Sequence, residues 1–160
     1  TIFSDRGFRY DETDACLSIG YYNYNELVKR ARSLNEFRKK EQFSQMLLSF
    51  KRMNNICSAF RKKNEAYQLA FSPELLVDPA EKKLHEFFSS RKKDIDRLIS
   101  ENRYIELFEL LIGGKGDIDN FFDEVMVMAE DVKVRDNRLA LLESILEPFT
   151  NLLDFSRISE

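Results

Sequence analysis

One apolar stripe constrains this chain more than any other feature. Phe43, Met46, Leu47, Phe50, Met53, Cys57 and Phe60 recur at intervals of three and four residues. That spacing places them on one face of a helix of about five turns. The composition agrees with a helical chain: 14 Phe, no Trp, five Gly and three Pro leave little turn punctuation. At 160 residues, with 43% apolar and 33% charged side chains, the chain fits one compact domain spanning 1–160. It starts at Thr1 and reads as a piece excised from a longer protein.

The opposite face of the same helix is basic. Lys40, Lys51 and Lys62 are spaced by eleven, about three turns, and form one row. Asn55 lies close to it, and Arg52 and Lys63 form a second row alongside. From Lys29 to Lys63 there are eleven Lys or Arg against two acids, Glu36 and Glu41, a net +9. The rest of the chain, with 14 basic and 26 acidic side chains, sums to −12. A basic segment in an acidic protein suits a polyanion such as nucleic acid. It also suits a solvated face paired with acids elsewhere in the fold, with long side chains lying along the core edge.

Other helices are predicted around this one. Asp11 can cap a short helix to Ile19, and Asn23 or Asn25 can cap one carrying Leu27, Val28, Ala31, Leu34 and Phe37. The stretch 64–79 reads as a linker, because Ser72-Pro73 and Asp78-Pro79 disfavour helix. Pro79 or Ala80 opens a helix through Leu84, Phe87, Phe88, Ile95 and Leu98 toward Asn102. Tyr104 to Ile112 forms the next, stopped by Gly113-Gly114-Lys115-Gly116. Asp117 to Met128 follows; Val125-Met-Val-Met128 alone could be a strand, but its flanks favour helix. The last segment, Asp136 to Phe155, should kink at Pro148.

Site chemistry is sparse. The single histidine, His85, has no second His or Cys at ligand spacing. The Gly113–Gly116 run follows a helix rather than a strand, which favours a helix terminator over a phosphate loop. No Ser, Cys or Lys has the partners that activate a nucleophile. Cys16 and Cys57 read as free thiols in a reducing cytoplasm. No apolar run approaches the roughly 20 residues of a membrane span. The chain by itself is not expected to be a catalyst or to bind a cofactor or metal.

A longer pattern lies between Asp119 and Leu142. It comprises Asp119, Phe121, Phe122, Asp123, Val125, Met126, Val127, Met128, Asp131, Arg135, Asn137, Arg138, Leu139, Leu141 and Leu142. It resembles the C-terminal anticodon-binding domain of the bacterial glycyl-tRNA synthetase beta subunit. Upstream, Gly7-Phe8-Arg9-Tyr10-Asp11, Asp14-Ala15 and Lys51-Arg52-Met53-Asn54-Asn55-Ile56 are similar to the same family, as is the closing Leu153-Asp154-Phe155-Ser156. Between Phe60 and Gly116 the likeness is poor. Lys115 and Asp117 stand where the family often has Arg-x-Pro.

The resemblance implies an all-α bundle of about six to seven helices, similar to the anticodon-binding domain of arginyl-tRNA synthetase. It implies a piece from the C-terminus of a beta subunit that binds glycine tRNA in the cytoplasm. Aminoacylation, ATP and glycine would belong to the alpha subunit of an alpha-beta heterotetramer. No membrane or DNA partner is implied. Glycine anticodons end in two cytosines, and a reader of cytosine needs an acceptor for the exocyclic amine and donors for the ring nitrogen and carbonyl. On this reading Lys40, Lys51, Arg52, Lys62 and Lys63 hold phosphates. Asn55, Arg135, Asn137 and Arg138, with a nearby acid, are candidates to contact bases. The last three can instead be structural, capping the final helix and pairing with Asp123 or Asp131. A different class of function is a helical interaction domain that docks the alpha subunit or the rest of the beta subunit.

Overall fold

The structure is a computed structural model that describes residues 24–157. The helix expected from Asp11 to Ile19, the Gly7–Ala15 motif and Cys16 lie outside the described residues. Among the described residues are six α-helices and no strand: α1 (Tyr24–Arg38), α2 (Glu41–Lys63), α3 (Pro79–Ser100), α4 (Tyr104–Ile112), α5 (Lys115–Glu124) and α6 (Val132–Leu146). Short 3₁₀ turns lie at Pro73–Leu75, Glu147–Phe149 and Phe155–Arg157.

The α2 stripe sits at the centre. All seven of its predicted apolar residues are buried. Phe43 meets Phe37 of α1 and Phe108 of α4 at ring-centroid distances of 5.6 and 4.9 Å. One turn pair further on, Phe50 meets Phe88 of α3, Phe149 and Phe155 at 6.2, 5.5 and 5.2 Å. Such tilted and edge-on pairs stabilise a core beyond the area they bury. The ends of α3 follow local rules. Pro79 takes the first helical position, and the Asp78 carboxylate accepts from Ala80 N at 2.8 Å. At the far end Asn102 adopts φ 55°, Arg103 N bonds Leu98 O at 2.8 Å, and Asn102 N bonds Ile99 O at 3.1 Å. That is a left-handed helix stop with asparagine in the glycine position.

Three expectations are corrected. The helix opened at Asp117 starts at Lys115 and ends at Glu124, and Val125 is extended at φ −115°, ψ 124°. Val125 and Val127 are buried, while Met126 and Met128 are 72% and 51% exposed. The segment alternates like a lone strand, so Met128 is not a core residue. Second, the helix stops at Ile112 as expected, but Lys115 and Gly116 belong to the next helix rather than to the stop, and Gly113 and Gly114 keep right-handed angles. Gly114 is required for space: a Cβ there would lie 2.4 Å from the Phe87 ring. Third, the last helix begins at Val132, capped by Asp131, whose carboxylate accepts from Lys133 N and Val134 N at 2.9 and 3.1 Å. It ends at Leu146; Pro148 lies in the following 3₁₀ turn, and the chain folds back to seat Phe155 on Phe50.

Candidate nucleic-acid interface

Because α2 buries one face, its other face is solvated. Arg52, Asn55, Lys62 and Lys63 are exposed along it, Lys51 is half-buried, and Lys40 is exposed at the position preceding the helix. Lys40 Nζ lies 4.2 Å from the centre of the Phe37 ring. Among the described residues no acid forms an ion pair with Lys40, Arg52, Lys62 or Lys63. The row is not uniformly basic. The Arg52 guanidinium stacks 4.1 Å above Phe122, and Asp119 and Asp123 of α5 line the same shallow groove. Lys115 pairs with Asp119, which also accepts from Ser49 Oγ at 3.1 Å. Lys62 and Lys63, at the C-terminal end of α2, form no ion pair with an acid among the described residues.

Two cations of the basic stretch are structural. Arg61 holds Glu143 of α6 through two bonds of 2.6 Å and also donates to Tyr67 O. Arg30 pairs with Glu26 and donates to Tyr104 Oη at 3.0 Å and Asn151 O at 3.2 Å. Their place beside the apolar stripes was the available sequence signal, since a cation at the margin of a stripe is within reach of neighbouring helices.

The three candidates on α6 separate. Arg138 is almost buried, pairs with Glu81 of α3 and donates to Met126 O at 2.6 Å. The Glu81 carboxylate is fully engaged: Oε1 faces Arg138, and Oε2 accepts from Val77 N at 2.9 Å and Asp78 N at 3.4 Å. Asn137 is 1% exposed, and its Oδ1 accepts from Ser72 N at 2.8 Å. Its Nδ2 has no hydrogen-bond partner among the described residues. These contacts favour the structural role for both residues over base contact. The pairing with Asp123 or Asp131 is also corrected: the partner of Arg138 is Glu81, 57 residues away in sequence.

Arg135 differs. Its guanidinium lies 5.6 Å over the Phe60 ring of α2. Nε and Nη2 donate to Asp136 Oδ1 at 2.9 and 2.7 Å. Tyr67 of the linker donates its hydroxyl to Asp136 Oδ2 and sets its ring edge-on to Phe60 at 5.8 Å. The bond to Asp136 pushes the Tyr67 hydroxyl above its ordinary pKa, because ionisation would place two anions together. Tyr67 and Asp136 did not emerge from the sequence as site residues, because the contact joins positions 69 apart.

Other chemistry is limited. Among the described residues no three His, Cys, Asp or Glu side chains group as a metal site, and no described helix is long and apolar enough to cross a membrane. His85 is half-buried against Phe71, with ring centroids 4.9 Å apart. Burial pushes the Cys57 thiol up to about 12, with help from the Glu143 carboxylate, so it is not a nucleophile at neutral pH.

Residues 46–159 match the family model of the DALR anticodon binding domain. The chain is 35% identical over 156 residues to the glycine–tRNA ligase beta subunit of Acidobacterium capsulatum, covering 95% of this chain and 22% of that protein. It is 33% identical over 155 residues to the same subunit of Persephonella marina, covering 97% of this chain and 21% of the relative. For the subunit of Moorella thermoacetica the identity is 34% over 157 residues, with 98% and 22% covered. The chain thus spans about a fifth of the length of the curated relatives it matches.

Proposed function

Because the chain belongs to the DALR anticodon binding domain family, we propose that it binds the anticodon stem and loop of a glycine tRNA, as part of a glycine–tRNA ligase beta subunit. The observation that carries this reading is the exposed cationic face of α2, which ends in Lys62 and Lys63 with no acid paired to either among the described residues. Lys40, Lys51, Arg52, Lys62 and Lys63 hold phosphates of the stem and loop, and Asn55 adds a neutral donor and acceptor among them. Aminoacylation takes place elsewhere in a cytoplasmic alpha-beta heterotetramer, with ATP and glycine bound at the alpha subunit. This domain then contributes tRNA affinity and selection, and no bond-making step.

Phosphate contacts release counterions, so binding must weaken as salt rises. The test is a titration of the full-length subunit with a synthetic glycine anticodon stem-loop at two salt concentrations. Measurable affinity at low salt that falls steeply at high salt is the expected result. Absence of binding at low salt overturns the proposal.

One observation favours a second role beside the first. Val77 and Met126 are 64% and 72% exposed, and both are anchored to the Glu81–Arg138 pair through backbone bonds. Leu75, Met128 and Val132 nearby in sequence are also exposed, at 43%, 51% and 51%. Apolar surface of this kind suits a protein contact. In a domain spanning a fifth of its relatives, that contact is with the rest of the subunit or with the alpha subunit. Protection of this surface from hydrogen exchange or labelling in the assembled enzyme, relative to the free subunit, would support it.

A further inference from the structure

We infer that Tyr67, Arg135 and Asp136 together form a reading site for one unpaired cytosine of the anticodon. The inference rests on the tRNA-binding reading above and names the group within that interface that reads sequence. Three observations carry it.

The first is position. The cluster packs on Phe60, in the last turns of α2, the helix that carries the exposed basic row. Arg135 stacks over Phe60, Tyr67 packs edge-on to the same ring, and Arg61 fixes the Tyr67 carbonyl. Lys62 and Lys63, assigned above to phosphates, stand two and three positions after Phe60 in the chain. A nucleotide held there by its phosphate brings its base toward this group.

The second is chemistry. Asp136 Oδ1 is occupied by two Arg135 N–H groups, but Oδ2 accepts only the Tyr67 hydroxyl. A carboxylate oxygen accepts about two hydrogen bonds, so Oδ2 keeps one acceptor position. Arg135 uses Nε and Nη2 toward Asp136 and also interacts with the Tyr67 hydroxyl, which leaves about two of its five N–H groups to donate elsewhere. One free acceptor beside these donors matches the cytosine edge: the exocyclic amine donates to Asp136, and the ring nitrogen and carbonyl accept from Arg135. Uracil presents a carbonyl where cytosine has its amine, and that carbonyl would face the carboxylate unfavourably.

The third is an aromatic surface. Tyr67 is 39% exposed although it is pinned at its hydroxyl and its ring edge. A ring held in place and still open on its surface is a stacking platform for an unpaired base. Among the described residues no aromatic ring contact is seen for Arg138 or Asn137, the neighbouring candidates, and Asn137 is 1% exposed.

The test uses the full-length subunit and four anticodon stem-loops: the glycine loop and its variants with uracil at either or both of the two cytosine positions. Wild-type protein is expected to prefer cytosine by about tenfold at one of them. Asp136→Ala should bring that ratio close to one and leave the other position unaffected. Tyr67→Ala should weaken all four loops by about tenfold, and Tyr67→Phe should keep most of the affinity. If Asp136→Ala does not fold, Asp136→Asn decides, because an amide serves both bases and should also level the ratio. Preserved discrimination in the folded Asp136 variant overturns the inference while leaving tRNA binding intact; so does equal weakening of cytosine and uracil loops. Failure of wild-type protein to bind any loop at low salt overturns the tRNA reading itself, and the cytosine site with it.

Discussion

Lys62 and Arg138 carry the same charge, and by sequence each is a candidate RNA contact. Their surroundings are opposite. Lys62 stands on the solvated face of α2, whose far side fills the core. Arg138 lies nearly two turns into α6, engaged with Glu81 and the Met126 carbonyl. The difference teaches that a cation's role here is set by what the chain lays over it. Lys62 and Lys63 remain exposed at the end of α2, whereas residues 72–81 cross the start of α6 and bring a carboxylate with them.

The strongest way to break this comparison is Arg138→Ala. Removing one partner of a buried pair leaves the other charge uncompensated, at about 3–5 kcal/mol. Denaturant unfolding should show a loss of that size. A variant as stable as wild type but deficient in stem-loop binding would move Arg138 into the α2 group. Next comes Asn137→Ala, which strands the Ser72 N–H. A loss of about 1–3 kcal/mol is expected, with unchanged discrimination between loops once folded.

The buried side of α2 sharpens the contrast from within one helix. The Cys57 thiol is raised to about 12 in the folded protein from an ordinary value near 9.0. A raised pKa favours the protonated form in the folded state. Its contribution to stability is thus full below about 9 and declines as pH climbs toward 12. In a Cys16→Ser background, thiol-specific labelling at pH 8 should be slow when native and fast in denaturant. Rapid native labelling would show that this face of α2 is not sealed.

The smallest effect on stability is predicted for the double variant Lys62→Ala, Lys63→Ala. It should stay within about 0.5 kcal/mol of wild type in unfolding. Its signature lies in binding: weaker affinity for every loop sequence, and a salt slope reduced by about 1.5 for two lost phosphate contacts. A loss of base discrimination in this variant would blur the line between phosphate-holding and base-reading residues.

How much was legible depended on how local each signal was. The α2 stripe was readable because every residue in it answers to one helical period, and the observed helix runs from Glu41 to Lys63. The start of α3 was readable because Pro79 marks it locally; the capping box of Asp78 and Glu81 around it came from the structure. The beginning of α6 was misplaced because Asp131 and Asp136 are both capping residues by type. Only the backbone shows that Asp131 holds the open N–H groups while Asp136 faces Tyr67. Val125 to Met128 was misread as helix because four apolar residues carry no period, and the burial of Val125 and Val127 depends on distant helices.

The candidate site divides along the same line. The basic row on α2 follows from the sequence alone, since a helix that buries one face must solvate the other. The sequence also carries the family pattern from Asp119 to Leu142. Which α6 residues face solvent does not follow from it. Arg135, Asn137 and Arg138 lie within four positions on one helix, and local rules treat them alike. Tertiary structure separates them through partners 57 to 69 residues away: Glu81 takes Arg138, Ser72 takes Asn137, and Tyr67 joins Asp136 beside Arg135. The physical reason is that helical period is a property of neighbours in sequence, whereas a buried charge is matched by whichever group the fold brings within hydrogen-bond reach.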